Sequence, residues 1–271
     1  MLKGISIHNF RGIKESKIDG FNQINVFIGE FGSGKSTILD AIYLLKLSSD
    51  RDSLRKVLSR RTGRVPDLAS CWYQLASVNK VEILYQFDSS SYQIQLQREG
   101  TDAVSILTLT DGGPKATFNW AGQFSGGQIA AAKEALFATE IALLDAETFR
   151  NVSASEVNIL KPVRVRRLEK EFIGFLRESF NIVEGFEFLP FSPRRSQESR
   201  CFVSLEDAEV PIDDVSDGIR NGLIILSTAF VLKETALLVE EPENHMYPKA
   251  LDKLLQKLVD LCKSNQLQLF V

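Results

Sequence analysis

The sequence predicts an α/β fold with a mixed central sheet, to which an antiparallel β-lobe and a helical lobe are attached. Three observations predict it. The apolar run "INVFIG" enters the glycine-rich "GEFGSGKST" at Gly29–Thr37 and leaves as a periodic helix, "KSTILDAIYLL", giving strand, loop and helix in order. A second apolar run, "ALLVEE", ends in two acids, Glu240 and Glu241. Between these runs, "KVEILYQF", "SYQIQLQRE" and "AVSILTL" alternate polar and apolar residues, as half-buried antiparallel strands do.

The remaining elements follow in chain order. "MLKGISIHNF" alternates like a strand and lacks the continuous apolar stretch of a signal peptide. A basic, loop-like stretch containing "SRRTGRVPD" precedes the three alternating strands, which end at the turn "DGGPK". "IAAAKEALFATE" is helical by propensity, "IALLD" is a short buried strand, and "RVRRLEKEFIGFLRESF" is a charged periodic helix. "GFEFLPF" and "SRCFVSL" are strands around a basic loop; then come a helix from about Ser216 to Lys233, the acidic strand, a helix after Pro248 and a last strand, "LQLFV". No internal repeat or low-complexity linker interrupts them. We expect a single domain over residues 1–271, with the phosphate loop and β-lobe in 1–120, the helical lobe and connecting strands in 121–213, and 214–271 closing the fold.

Composition excludes little. A formal charge of -3 gives no global attraction to nucleic acid or an anionic membrane, so such binding would need local patches at Arg60–Arg64, Arg164–Arg167 or Arg194–Arg200. Taken singly, each reads as a solvated face. Three scattered cysteines make neither a zinc site nor a disulfide framework, and "GLIILSTAFVL" is too short to span a membrane. The expectation is a cytoplasmic protein with no membrane partner. His8 and His245, the only histidines, are too far apart in sequence to suggest a shared metal.

"GEFGSGKST" fits the phosphate-loop pattern of glycine, four residues and Gly-Lys-Ser. Its glycines, Gly29, Gly32 and Gly34, let backbone N–H groups converge on phosphate oxygens, with Glu30, Phe31 and Ser33 completing the loop. Lys35 would bridge the β- and γ-phosphates of ATP, Ser36 would hold Mg²⁺, and Thr37 would lie beside the α- and β-phosphates. Glu240 suits the hydrated metal and Glu241 the orientation or deprotonation of attacking water, making Glu241 and Lys35 the candidate catalytic pair.

Together "IHNFRGIKES", "GEFGSGKST", "VSDGIRNG" and "LLVEEPENHMYP" resemble the RecF/SMC-type ABC ATPases, and most closely their OLD-like (overcoming-lysogenization-defect) group of AAA-type ATP-binding proteins. The resemblance implies an ABC-ATPase head of the phosphate-loop NTPase class. It makes Ser216, Asp217 and Gly218 the signature that reaches the γ-phosphate held by a second copy, so that ATP joins a head-to-tail homodimer. It also places Arg11 near the phosphates. A competing signature, "QFSGGQ", leads into "IALLDAET", where Ala146 stands in place of the needed glutamate. Gly126 and Gly127 therefore read as a turn opening a helix, with Ser125 as its N-cap.

The chain departs from the family in three places. Glu240 stands where aspartate is usual, and "LLDAETFRN" has no glutamine, leaving Glu147 as the sensor-loop guess. "LQLFV" would lead into a "TTHS"-like histidine switch and, in the OLD type, a nuclease domain; the chain stops there, so we expect a truncated form with intact nucleotide binding and weak hydrolysis. His245 falls near the expected dimer seam. The implied function is an ATPase module controlling a nuclease domain or another DNA- or RNA-acting partner in repair or antiviral defence. The alternatives are a transporter ATPase subunit, a non-catalytic nucleotide-sensing scaffold, or a GTPase reading guanine through "NKVE" at Asn79–Glu82.

Overall fold

The computed structural model describes residues 1–48, 50, 52–60, 68–75, 79–99, 103–110, 113–119, 124–125, 137–151, 160–165, 167–179, 183–190 and 199–271. The chain forms two compact units, one made of Met1–Leu143, Glu234–Leu238 and Gln268–Val271, the other of Leu144–Lys233 and Val239–Leu267.

The first unit holds a seven-stranded antiparallel sheet. Its order is β2 (Ile13–Asp19), β1 (Leu2–Phe10), β4 (Val81–Phe87), β5 (Ser91–Glu99), β6 (Ala103–Thr110), β7 (Gly113–Asn119) and β8 (Phe124–Ser125). Alternation puts Ile5, Ile7, Val81, Ile83, Tyr85, Ile94 and Leu96 into the core, which is why β1, β4 and β5 were legible as strands. The last two strands extend the sheet beyond the predicted turn at "DGGPK". Ser125 pairs with Thr117 in β8; the helix it would cap, and Gly126 and Gly127, lie outside the described residues.

A second sheet in this unit has the order β3 (Ile24–Asn25), β14 (Gln268–Phe270), β13 (Ala236–Val239) and β9 (Ala142–Leu144). Both β3 and β13 pair in parallel with β14. The pairing of "INVFIG" continues past β3, because Phe27 N–H donates to the Val271 carbonyl at 2.7 Å. The acidic strand is therefore not the direct neighbour of the phosphate-loop strand: the C-terminal run lies between them, separating them by about 10 Å, two interstrand spacings. Buried Gln268 stitches the N-terminus to this sheet, accepting from Leu2 N–H at 2.8 Å and donating to the Leu2 and Asn22 carbonyls.

Helix α1 (Lys35–Tyr43) follows the phosphate loop, and its buried Leu39, Ala41, Ile42 and Tyr43 pack into the core. Tyr85 O–H donates to the Ala41 carbonyl at 2.6 Å, tying α1 to β4. The stretch read as a basic loop opens as a helix, α2 (Asp52–Ser59), whose Leu54, Val57 and Leu58 form a buried stripe among charged residues.

The second unit contains the antiparallel sheet β10 (Val183–Pro190), β11 (Ser199–Leu205) and β12 (Ala208–Pro211). Among the described residues five helices accompany it: α3 (Ala146–Arg150), α4 (Lys161–Val165), α5 (Glu169–Ser179), α6 (Asp217–Val231) and α7 (Pro248–Ser264). The single helix expected over "RVRRLEKEFIGFLRESF" is two, since Arg167 adopts φ 57 between α4 and α5. Phe172 of α5 packs against Phe186 and Phe230. Helix α6 is buried over most of its length from Asn221 to Val231, whereas α7 buries one face through Leu254, Leu258, Leu261 and Cys262. Among the described residues no helix is long and apolar enough to cross a membrane.

Candidate nucleotide site

In the first unit, β3 delivers the chain into the loop at Gly29. A Cβ on Gly29 would lie 2.8 Å from Ser33 Oγ, so any other residue there would force the Ser33 hydroxyl to turn aside. Gly32 and Gly34 adopt φ 80 and φ 95, the left-handed conformation that suits glycine. Gly34 is the N-cap of α1, with no side chain capping the helix and no acid in its first turn. The N–H groups at this end are therefore free to serve an anion, and the helix dipole adds to their attraction.

Lys35 reaches back over the loop. Its Nζ donates to the Gly29 and Glu30 carbonyls at 2.6 and 2.9 Å and lies 3.4 Å from Ser33 Oγ. Gly29 to Ser33 are exposed, Gly34, Lys35 and Ser36 half-buried, and Thr37 buried. The site thus has an ammonium at the centre of the loop, an accessible hydroxyl at Ser36 and converging backbone donors. This donor set fits a polyphosphate. The Ser36 hydroxyl is a hard oxygen ligand of the kind that suits Mg²⁺.

Arg11, expected near the phosphates, is engaged by α1 and α2. It takes φ 53 in the turn after β1, and its Nη1 donates to Asp40 Oδ2 at 2.8 Å and to the Val57 carbonyl at 2.9 Å. Arg60 donates through Nε to Asp40 Oδ1 at 2.6 Å and through Nη2 to the Ser36 carbonyl at 3.3 Å. Its side chain is only 2% exposed. Arg60 is therefore no part of a surface track for nucleic acid, because its guanidinium is neutralised inside the fold. Sequence reading missed Asp40, although a lone carboxylate within the apolar "ILDAIYLL" was a signal that a buried partner existed.

The other basic positions divide. Arg167 is exposed, and Arg200 lies 3.4 Å from Asp213 across its Nη1. Arg61, Arg64, Arg166, Arg194 and Arg195 lie outside the described residues.

In the second unit, Glu240 is half-buried and its N–H donates to the Leu144 carbonyl at 2.9 Å. Glu241 is exposed at φ 51, and its Oε2 accepts from Asn244 Nδ2 at 2.6 Å. Two turns hold the following loop, with Asn244 N–H on the Glu241 carbonyl and Met246 N–H on the Glu243 carbonyl. His245, at φ 65, turns its carbonyl toward Gly218.

Ser216 is the N-cap of α6, yet its hydroxyl makes no capping hydrogen bond and the residue is exposed. Asp217 pairs with Arg220 and lies 3.7 Å from His245 Nδ1. A Cβ on Gly218 would stand 2.9 Å from the His245 carbonyl oxygen, so glycine lets the start of α6 approach the loop after the acidic strand. The structure thus brings "VSDG" and "ENHMYP" together. The sensor guess, Glu147, sits in the first turn of α3, which Asp145 caps by accepting from Thr148 N–H at 2.8 Å. In "NKVE", the stretch weighed as a guanine reader, Glu82 accepts a cross-strand hydrogen bond from Gln95 at 3.0 Å on β4.

Residues 24–271 match the family described as "AAA domain, putative AbiEii toxin, Type IV TA system". Among curated relatives, the DNA replication and repair protein RecF of Clostridium kluyveri is 29% identical over 108 residues, which is 40% of this chain and 27% of that protein. An ATP/GTP phosphatase of Helicobacter pylori is 42% identical over 45 residues, 17% of this chain and 12% of the relative. The matches thus span about a quarter or less of these relatives' lengths. Among solved structures, an Smc head bound to the C-winged helix domain of ScpA aligns over 100% of this chain and 88% of its own at TM-score 0.63 and 13% identity. The RecF–ATP structure of the recombination mediator aligns over 100% and 92% at TM-score 0.52 and 12% identity. The fold is that of RecF and SMC ATPase heads.

Proposed function

We propose, from the premise that this chain belongs to the AAA-domain family just described and has a RecF/SMC-like ABC ATPase head, that it binds and hydrolyses ATP and dimerises on it. The observation that carries the reading is Lys35, folded over the loop carbonyls at the open N-terminus of α1. A polyphosphate would replace those carbonyls as the partner of the ammonium.

The roles follow from the chemistry of each group. Gly29 to Thr37 would cradle the phosphates with backbone N–H groups, and Ser36 with Glu240, the latter through water, would hold Mg²⁺. When bound, the ion supplies positive charge against the charge that builds on the transferring phosphoryl group. Glu241 would orient the attacking water and accept its proton. Its exposure and its hydrogen bond to Asn244 support this role, because the carboxylate is reachable and held.

Ser216, Asp217 and Gly218 would complete the site of a second copy. The support is the uncommitted Ser216 hydroxyl at the start of a long, buried helix, where N–H groups and dipole favour an anion. Two sites would thus be shared head to tail, and hydrolysis would part the copies. The RecF relatives support a role for such a module in DNA repair, and the OLD-like resemblance favours antiviral defence; in either case it would act on a nuclease or other nucleic-acid partner.

Equilibrium titration with fluorescent ATP, competed by unlabelled ATP and GTP, tests the reading in the wild type and in Lys35→Ala. We expect saturable binding displaced by ATP and lost in the variant. Equal binding by wild type and variant would contradict the assignment of the loop.

A further inference from the structure

We propose that Arg60 is a positioning residue of the phosphate loop, which holds the first turn of α1 through Asp40 and the Ser36 carbonyl and so sets the Ser36 hydroxyl for Mg²⁺. This rests on the nucleotide reading above. Asp40 lies four residues after Ser36, one helical turn on along the same face of α1, and is fully buried. Arg60 spans that turn, with Nε on Asp40 Oδ1 at 2.6 Å, Nη2 also on the carboxylate, and Nη2 3.3 Å from the Ser36 carbonyl. Arg11 occupies the other carboxylate oxygen at 2.8 Å and carries the contact on to the Val57 carbonyl of α2.

The geometry explains why an arginine is needed. A planar guanidinium offers several N–H groups in a fixed fork and can serve a carboxylate and a carbonyl at once, whereas an ammonium is a point charge on a flexible stem. The N-terminus of α1 has no side-chain cap of its own, so its first turn is held from outside, by α2 and the residue that follows it. Fixing the Ser36 backbone fixes the origin of its side chain. Mg²⁺ demands near-ideal octahedral geometry, so a small tilt of that hydroxyl costs more in metal affinity than in phosphate affinity.

The test uses the full chain with Arg60→Met and Arg60→Lys. A fluorescent ATP analogue at fixed concentration is titrated with Mg²⁺, and its binding is measured separately in EDTA. Loss of an outer-shell partner should raise the half-saturating Mg²⁺ concentration about tenfold in Arg60→Met while leaving metal-free binding unchanged. Arg60→Lys should fall between the variant and the wild type. An unshifted Mg²⁺ midpoint, or an equal loss with and without the metal, would overturn the inference. Should Arg60→Met not fold by circular dichroism, Arg60→Lys decides alone: a raised midpoint supports the assignment and an unchanged one overturns it. Failure of the wild type to bind ATP would instead overturn the nucleotide reading itself.

Discussion

Replacing Gly218 with alanine sets helix propensity against a backbone collision. Gly218 is the second residue of α6, and its added Cβ would lie 2.9 Å from the His245 carbonyl oxygen and 3.8 Å from Met246 Cα. Glycine-to-alanine within a helix gains at most about 1 kcal/mol, and less in the first turn. Forcing a methyl against a fixed backbone atom costs about 1–3 kcal/mol. The oxygen has little room to yield, because the loop is closed by the turns at Glu241–Asn244 and Glu243–Met246 and holds His245 at φ 65. The collision should win, leaving the variant about 1–2 kcal/mol less stable by the difference of these two effects. Thermal unfolding followed by circular dichroism should then show a Tm lower by a few degrees, at about 2–4 °C per kcal/mol for a chain of this size. A Tm equal to or above that of the wild type would refute the reasoning and show that the loop moves aside freely.

Three further outcomes are expected. Asp40→Ala leaves two largely buried guanidiniums without their shared carboxylate and should cost about 3–5 kcal/mol in a urea titration, whereas a loss below 1 kcal/mol would show that the cluster is solvated. Gln268→Ala removes the acceptor of the Leu2 N–H and a donor to the Leu2 carbonyl, while the Asn22 carbonyl keeps Asn25 Nδ2 at 2.8 Å; the loss should be about 1–3 kcal/mol for each group left unsatisfied, and amide exchange at Leu2 should accelerate. Burial pushes the Cys262 thiol from 9.0 up to about 12, so the folded state keeps a proton that the unfolded chain releases. Its contribution to stability is therefore complete below pH 9.0 and declines as pH rises toward 12, and the folded protein should resist thiol-modifying reagents at pH 8.

The legible parts of this molecule are those whose cause is local. Strand, glycine loop and helix at Gly29–Tyr43 follow from neighbouring residues, and the alternation in β1, β4 and β5 follows from their one-sided burial. The illegible parts depend on residues remote in sequence. Arg60 reads as one more surface charge until Asp40, twenty residues earlier, is seen to neutralise it. Nothing near Gly218 requires glycine; the requirement comes from the His245 carbonyl at the far end of α6 and β13. Strand order is similarly non-local, because the insertion of β14 between β3 and β13 is fixed by pairing and not by composition. Helix α2 escaped notice because its three buried apolar residues are interleaved with charge.

The central claim is that ATP joins two copies through Ser216 and its neighbours. Light scattering of the Glu241→Gln variant, with and without ATP and Mg²⁺, measures this directly, with Glu241→Gln/Ser216→Arg as its control. The account predicts a mass that doubles only with nucleotide and stays monomeric when Ser216 is replaced. A Glu241→Gln protein that binds ATP yet remains a monomer would contradict it.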